Sequence, residues 1–503
     1  MSKSFSRRRL LGAALAAGVL PILPGAVRAA PAIPKRLVAG TRVLEVNGWP
    51  AKVFALTGLD GRPGLRLAPG ERFRVDLVNQ TGTRTIVHWH GQLPPWIQDG
   101  FPWPQSPPIA NGALQAYDYA PIPGTYWMHS HHGLQEQSLL TAPLIVHDAA
   151  ELREDRQDVV LMLHDLTFRS PDEVLADLTG TSVAAVQELM AKAEEAPGRE
   201  GGSNLPEAPM AGMAHDAAAM SMPAMGMPGP HAMHMDLNDV HYDAFLANDR
   251  TLADPEVVRV ERGGRVRLRI ISASASQFWI DLGEVVGRVV ATDGHPVQPV
   301  AGNRFPIAMA QRLDILIDLP RTGAFPILAQ LEGDRRQTGI ILATPGARIS
   351  QMTDSAKAAP PVDNSLEARL VAVEPLTSRS ADIVHTIALA GGMKPYAWSM
   401  NGEYWPQVKP LMLAKGQRVE IDLVNHSMMA HPMHLHGHTF QVIAIDGRPI
   451  QGAVRDTVLV MPMGRVRIAF DADNPGRWPF HCHNLYHMMT GMLTEFRYQG
   501  IAV

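Results

Sequence analysis

The amino-acid sequence predicts an all-β protein of three related β-sandwich domains, and three observations lead there. Gly and Pro, 43 and 41 of 503 residues, exceed what a mostly helical chain would choose and suit many turns between short strands. One unit recurs at Leu65 to Asn79, Val257 to Ile270 and Pro410 to Asn425: a strand, a Gly turn, then a strand alternating charged and apolar residues. The wide spacing of these echoes suits separate domains rather than a solenoid. The length agrees, at about 100 to 200 residues per domain.

Taken in order, residues 1–30 read as an export leader. Arg7-Arg8-Arg9 precede an apolar run from Gly12 to Leu20 and a small-residue cleavage signal at Val27-Arg28-Ala29. The arginine pair resembles the twin-arginine export signal and predicts delivery to the periplasm; a basic leader on a cytoplasmic enzyme is the bland alternative. The run is too short for a membrane span, and no later stretch reaches 18 apolar residues without charge, so the mature chain is expected to be soluble. The first domain is placed at 38–150, with strands at Arg42–Val46, Leu65–Pro69 and Glu71–Asn79. The second is placed at 155–345 and the third at 366–503, separated by a linker from Ser350 to Pro361.

The second domain carries an insertion at 171–238. Ser170 before Pro171 is a plausible N-cap, and apolar residues at helical spacing predict one or two helices broken at Gly180. Beyond Pro197 the chain turns to Gly, Pro, Ala, Met and His. Met210, Met213, Met220, Met222, Met225, Met227, Met233 and Met235 crowd into 26 residues with His215, His231 and His234, a composition that holds no regular amphipathic element.

Charge excludes one function class: 45 basic against 49 acidic residues give no reason to expect a nucleic-acid partner. Cys482 is the single cysteine. It is either a buried bystander or a reactive or metal-binding thiolate, and after export an exposed thiol would be a liability. Histidine is concentrated in His88-Trp-His90-Gly, His129-Ser-His131-His132, His431-Pro-Met-His434-Leu-His436-Gly-His438 and His481-Cys-His483-Asn-Leu-Tyr-His487. A lone histidine is usually structural, but four His-x-His pairs are not. On an extended strand that spacing turns both imidazoles to one face, as a shared metal site requires, and turns Cys482 away from His481 and His483. A thiolate, two imidazoles and a thioether at Met492 form a soft set suited to blue copper. Zinc would use Cys and His but gives no reason for the other three pairs.

With these motifs in order, the sequence resembles the three-domain multicopper oxidases, among them laccases and periplasmic cuprous oxidases. The likeness covers the mature chain outside the insertion. It implies three cupredoxin-like Greek-key domains and four copper ions per chain. Type 1 copper would take His431, Cys482, His487 and Met492; type 2 would take His88 and His434. The type 3 pair would take His90, His129, His131, His436, His481 and His483, between the first and third domains. The resemblance implies one-electron oxidation of a donor, electron transfer through Cys482, and reduction of dioxygen to water. It also implies an acid near the cluster, a role that Asp99 matches, against a plain turn aspartate beside Gly100. Where cuprous oxidases carry a carboxylate after the last type 1 histidine, this chain has Met488.

The donor is the open question. Met210–Met235 and Met429, just ahead of Ala430-His431, suit capture and delivery of the soft ion Cu(I), which implies copper tolerance. Against this, the family's Met-rich insert lies in the third domain, and Ser427 stands where an acid would precede Met428-Met429. The alternatives are a laccase oxidising phenols or diamines beneath a low-complexity loop, Mn(II) oxidation, or a non-enzymatic copper store. A monomer is the default expectation.

Overall fold

A computed structural model describes residues 33–188 and 237–501; the leader and the Met210–Met235 cluster lie outside the described residues. From Lys35 onward the chain forms one compact unit in which three pairs of sheets succeed one another. The first pair opens with a hairpin, Lys35–Val46 against Trp49–Gly58, paired in register from Leu37 with Gly58 to Val46 with Trp49. Asn47 and Gly48, at φ of 52° and 86°, supply the left-handed backbone that such a two-residue turn demands. The first strand also pairs in parallel with Phe73–Asn79, whose burial alternates along its length. The facing sheet runs in the order Leu65–Leu67, Thr141–Val146, Gly124–Ser130, Val87–His90.

The third pair repeats the arrangement that matters for function. In its smaller sheet His431–Leu435 lies antiparallel to Arg477–Cys482, with His434 opposite His481 and Met433 opposite Cys482. In the first pair His88 lies opposite His129. The four histidine motifs therefore occupy two matching pairs of neighbouring strands. In the middle pair the neighbouring strands Phe278–Asp281 and Ala324–Leu331 carry no histidine, with Phe278 opposite Leu331.

The insertion begins as its sequence predicts. Ser170 caps the helix Pro171–Thr179 in a reciprocal capping box with Glu173, and Gly180 ends it at φ 66°. Val174 and Leu175 are buried in the third domain's core. The linker departs from expectation. Although it has little regular structure, Arg335 Nε donates to the Ser355 carbonyl (2.8 Å) and Gln330 Nε2 to that of Lys357 (2.7 Å), so it is fastened along the middle sheets. Its backbone carbonyls find partners on side chains of a strand and turn of the middle sheets, a requirement that composition does not reveal.

Candidate metal centres

All twelve ligand candidates are buried. The donor atoms of the ten histidines and Cys482 gather into sets: His88, His90 and His434; His90, His129 and His483; His131, His436 and His481; and His431, Cys482 and His487. The pairs do not act as simple units. His129 and His131 separate into neighbouring sets, as do His434 and His436, and His481 and His483. Strand alternation brings both rings to one face, but the second residue of each of these pairs lies at or just past its strand's end, where the backbone turns.

Each ring's second nitrogen reveals which atom faces inward. His88 Nδ1 donates to the Asp99 carbonyl (2.8 Å), His434 Nδ1 to the Asp456 carbonyl (2.9 Å), His436 Nδ1 to Asp99 Oδ2 (2.7 Å) and His481 Nδ1 to the Cys482 carbonyl (2.9 Å). Their Nε2 atoms are therefore bare acceptors. Yet His436 and His481 Nε2 approach to 3.0 Å, and His88 and His434 Nε2 to 3.4 Å. His131 Nε2 is buried without a hydrogen-bond partner among the described residues. Facing lone pairs repel unless a cation lies between them, so this donor set fits metal ions. Burial first, and neighbouring imidazoles second, hold His131 and His436 well below the ordinary histidine range. Neutral imidazole is the ligating form.

Three carboxylates brace the cluster, two of them buried and the third, Glu136, half-buried. Asp99 ends the short turn Trp96–Gln98. Its placement needs the glycine that follows, because a Cβ at Gly100 would fall 1.9 Å from the Val87 carbonyl oxygen. Spacing and resemblance point to Asp99 but not to the other two. Asp456 Oδ1 accepts from His90 Nε2 (3.0 Å) and from Arg312 Nη1 (2.8 Å), so the middle domain reaches the cluster through one guanidinium. Burial would raise the Asp456 carboxyl, but Arg312 and His90 outweigh it and hold it well below the usual range. Glu136 Oε2 lies 2.7 Å from His129 Nδ1, and its Oε1 lies 3.7 Å from His483 Nδ1. Burial pushes its carboxyl up to about 8. Its only sequence signal is its place five residues beyond His131; Asp456 is signalled by nothing in the histidine spacing.

Cys482 faces away from its neighbours as alternation requires. Its Sγ lies 3.7 Å from His431 Nδ1 and 3.6 Å from His487 Nδ1, and those nitrogens are 3.1 Å apart. Such spacings are the edges expected of ligands about 2.0 to 2.3 Å from a shared ion. Ser427 Oγ sits 2.7 Å from His431 Nε2, Asp239 Oδ2 lies 3.1 Å from His487 Nε2, and Trp398 stacks on the His487 ring at 4.0 Å. Met492 shares this core, and its carbonyl accepts from the Cys482 amide (3.1 Å). Burial pushes the Cys482 thiol far up, so a bound cation is needed to hold the thiolate there. At position 488 the structure has a buried methionine.

Comparison with known proteins agrees along the chain. Three family models described as multicopper oxidase match residues 45–151, 212–345 and 380–500. Multicopper oxidase MmcO of Mycobacterium tuberculosis is 32% identical, over 99% of this chain and 97% of its own length. A copper resistance protein A homolog of Pseudomonas syringae pv. tomato is 27% identical, over 92% and 91%. In fold the chain resembles Fet3p, titled a multicopper oxidase that functions in iron import, at TM-score 0.71, 19% identity and coverage of 92% and 90%. It also resembles the laccase of Botrytis aclada, at TM-score 0.69, 20% identity and coverage of 93% and 88%.

Proposed function

The chain belongs to the multicopper oxidase family, and from that premise we propose that it oxidises Cu(I), and small phenols as secondary donors, in periplasmic copper tolerance. The observation that carries the reading is the tripeptide His481-Cys482-His483. Its sulfur faces two Nδ1 atoms while its flanking imidazoles join two different histidine sets. Four ions are proposed, with His431, Cys482, His487 and Met492 holding type 1, His88 and His434 type 2, and the other six histidines the type 3 pair. When bound, copper supplies one-electron acceptance at Cys482 and dioxygen reduction among the imidazoles.

The chain's own residues do the rest. The Cys482 backbone and the bond from His481 Nδ1 to the Cys482 carbonyl join the two centres without a gap. Asp99, within 2.7 Å of His436 and 3.3 Å of His88, holds both rings in place and is positioned to deliver protons. Burial of the whole set excludes bulk water from the reacting space. The balance is four electrons from four one-electron donors, one dioxygen and four protons, giving two waters.

Copper as donor is supported by the Met-rich segment and by the copper resistance proteins among the relatives. The laccases among them support phenol oxidation. Oxygen uptake by the copper-loaded chain with Cu(I) or a small phenol tests the reading. Deleting Met210–Met235 is expected to lower Cu(I) turnover far more than phenol turnover. Equal loss, or no loss, on both donors would favour the laccase reading.

A further inference from the structure

The strands Gly287–Thr292 and His295–Gly302 of the middle domain are joined by Asp293-Gly294. Their φ angles of 48° and 84° are the left-handed pair that a two-residue hairpin demands. Such a tip ordinarily faces water, yet Asp293 is fully buried. Its Oδ1 accepts from the Arg312 amide (2.8 Å), and its Oδ2 from Arg455 Nε (2.9 Å) and the Thr457 amide (3.3 Å). Arg312 runs on to Asp456, and Arg455 to Glu367, so three carboxylates alternate with two guanidinium groups, all of them buried. The other side of the tip meets the first domain. A Cβ at Gly294 would fall 2.4 Å from Tyr126 Cζ, and one at Gly124 would fall 2.7 Å from Gly294 Cα, so this approach requires glycine on both sides. A single turn of the domain that gives no imidazole to the cluster thus touches the two that do.

Holding domains together does not explain this chain of charges, because apolar packing does so without the cost of taking ionic groups out of water. Ion pairs supply direction instead, and the direction leads to the cluster. Asp456 Oδ1 accepts from His90 Nε2 (3.0 Å), which turns His90 Nδ1 inward, 3.4 Å from His129 Nε2. His88, His434, His436 and His481 are turned the opposite way. The Asp456 carbonyl fixes His434 through Nδ1 (2.9 Å), one residue before the Thr457 amide that Asp293 holds. We propose that the Asp293-Gly294 turn is a positioning device for the imidazole cluster, setting the His90 and His434 rings through Arg455, Asp456 and Thr457. The inference rests on the copper-oxidase reading and adds to it a control of the cluster by the middle domain. Rings held in place bind metal more tightly than rings that are not, so metal in the cluster must stabilise the docked turn by the same factor.

Asp293→Asn keeps an acceptor for the Arg312 amide and removes the charge between the two guanidinium groups. Ile327→Val, buried on the other sheet of the same domain, is the control for lost stability alone. In competition with a chelator, affinity for cluster copper is expected to fall about tenfold or more in D293N, with blue absorption unchanged and no such fall in I327V. Unchanged cluster affinity in D293N, or an equal fall in I327V, would overturn the positioning role. Hydrogen exchange on the unaltered chain needs no variant. Copper in the cluster should slow exchange of the Arg312 amide, which donates to Asp293, more than it slows the amides of Ala324–Leu331; equal slowing of both would overturn the role as well. An unaltered chain that takes up blue copper but none at the imidazoles would break the cluster reading itself, which is a separate failure.

Discussion

The imidazole cluster and the thiolate centre share the residues His481 to His483, yet they are held by opposite means. Around the cluster Asp99, Asp456 and Glu136 lie against ring nitrogens, all buried or nearly so. Around Cys482 the supports are a hydroxyl, a stacked indole and main-chain groups, with Asp239 as the carboxylate near a ligand ring among the described residues. The difference follows from the chemistry each must support. Reduction of dioxygen consumes protons and collects several cations, so negative charge and fixed tautomers are useful there. A one-electron centre needs a soft ligand and a packed, dry wall that holds its geometry, and apolar and aromatic side chains supply that.

The comparison breaks most severely at the shared residue. Cys482→Ser leaves all the histidines in place but removes the soft ligand; blue absorption should vanish and turnover with every donor should fall by about a thousandfold or more. Oxygen uptake and visible absorption check it, and a variant that stays blue would remove Cys482 from the centre. Asp456→Asn attacks the cluster alone. It leaves Arg312 buried against a neutral amide, at a cost of about 3 to 5 kcal/mol, seen as a lower Tm with copper lost from the cluster first. Glu136→Gln keeps an acceptor for His129 but removes a carboxyl that can gain and release a proton beside it. It should cost about 10- to 100-fold in cluster copper affinity or turnover, with blue absorption unchanged.

The sequence made the ligands legible because their signal is local: four motifs of fixed spacing, each on or beside one strand. The strand–turn–strand echoes at Leu65 to Asn79, Val257 to Ile270 and Pro410 to Asn425 likewise survive in the structure, with boundaries moved by a few residues. What was hidden depends on contacts between distant segments. Asp456 meets His90 across 366 positions, and Arg312 meets Asp456 only once the middle and third domains are packed. The strand Trp49–Gly58 was missed, although its Asn47-Gly48 turn is a strong local signal. Glu136 lies close to His131 in sequence, but only the fold turns it back onto His129.

The smallest effect is expected at Ser427, and it probes the comparison from the other side. With His431 Nδ1 directed at Cys482, the proton of this ring lies on Nε2 and is donated to Ser427 Oγ at 2.7 Å; that hydroxyl in turn donates to Asn425 Oδ1 at 2.8 Å. Ser427→Ala leaves the N–H buried without its acceptor, at a cost of about 1 kcal/mol, or roughly fivefold in affinity for the type 1 ion. The change should appear as weaker blue absorption at limiting copper, while the copper content of the imidazole cluster stays constant. Loss of copper from both centres in equal measure would show that the hydroxyl supports the whole molecule, because a contact confined to the thiolate side has no route to the carboxylates that brace the cluster.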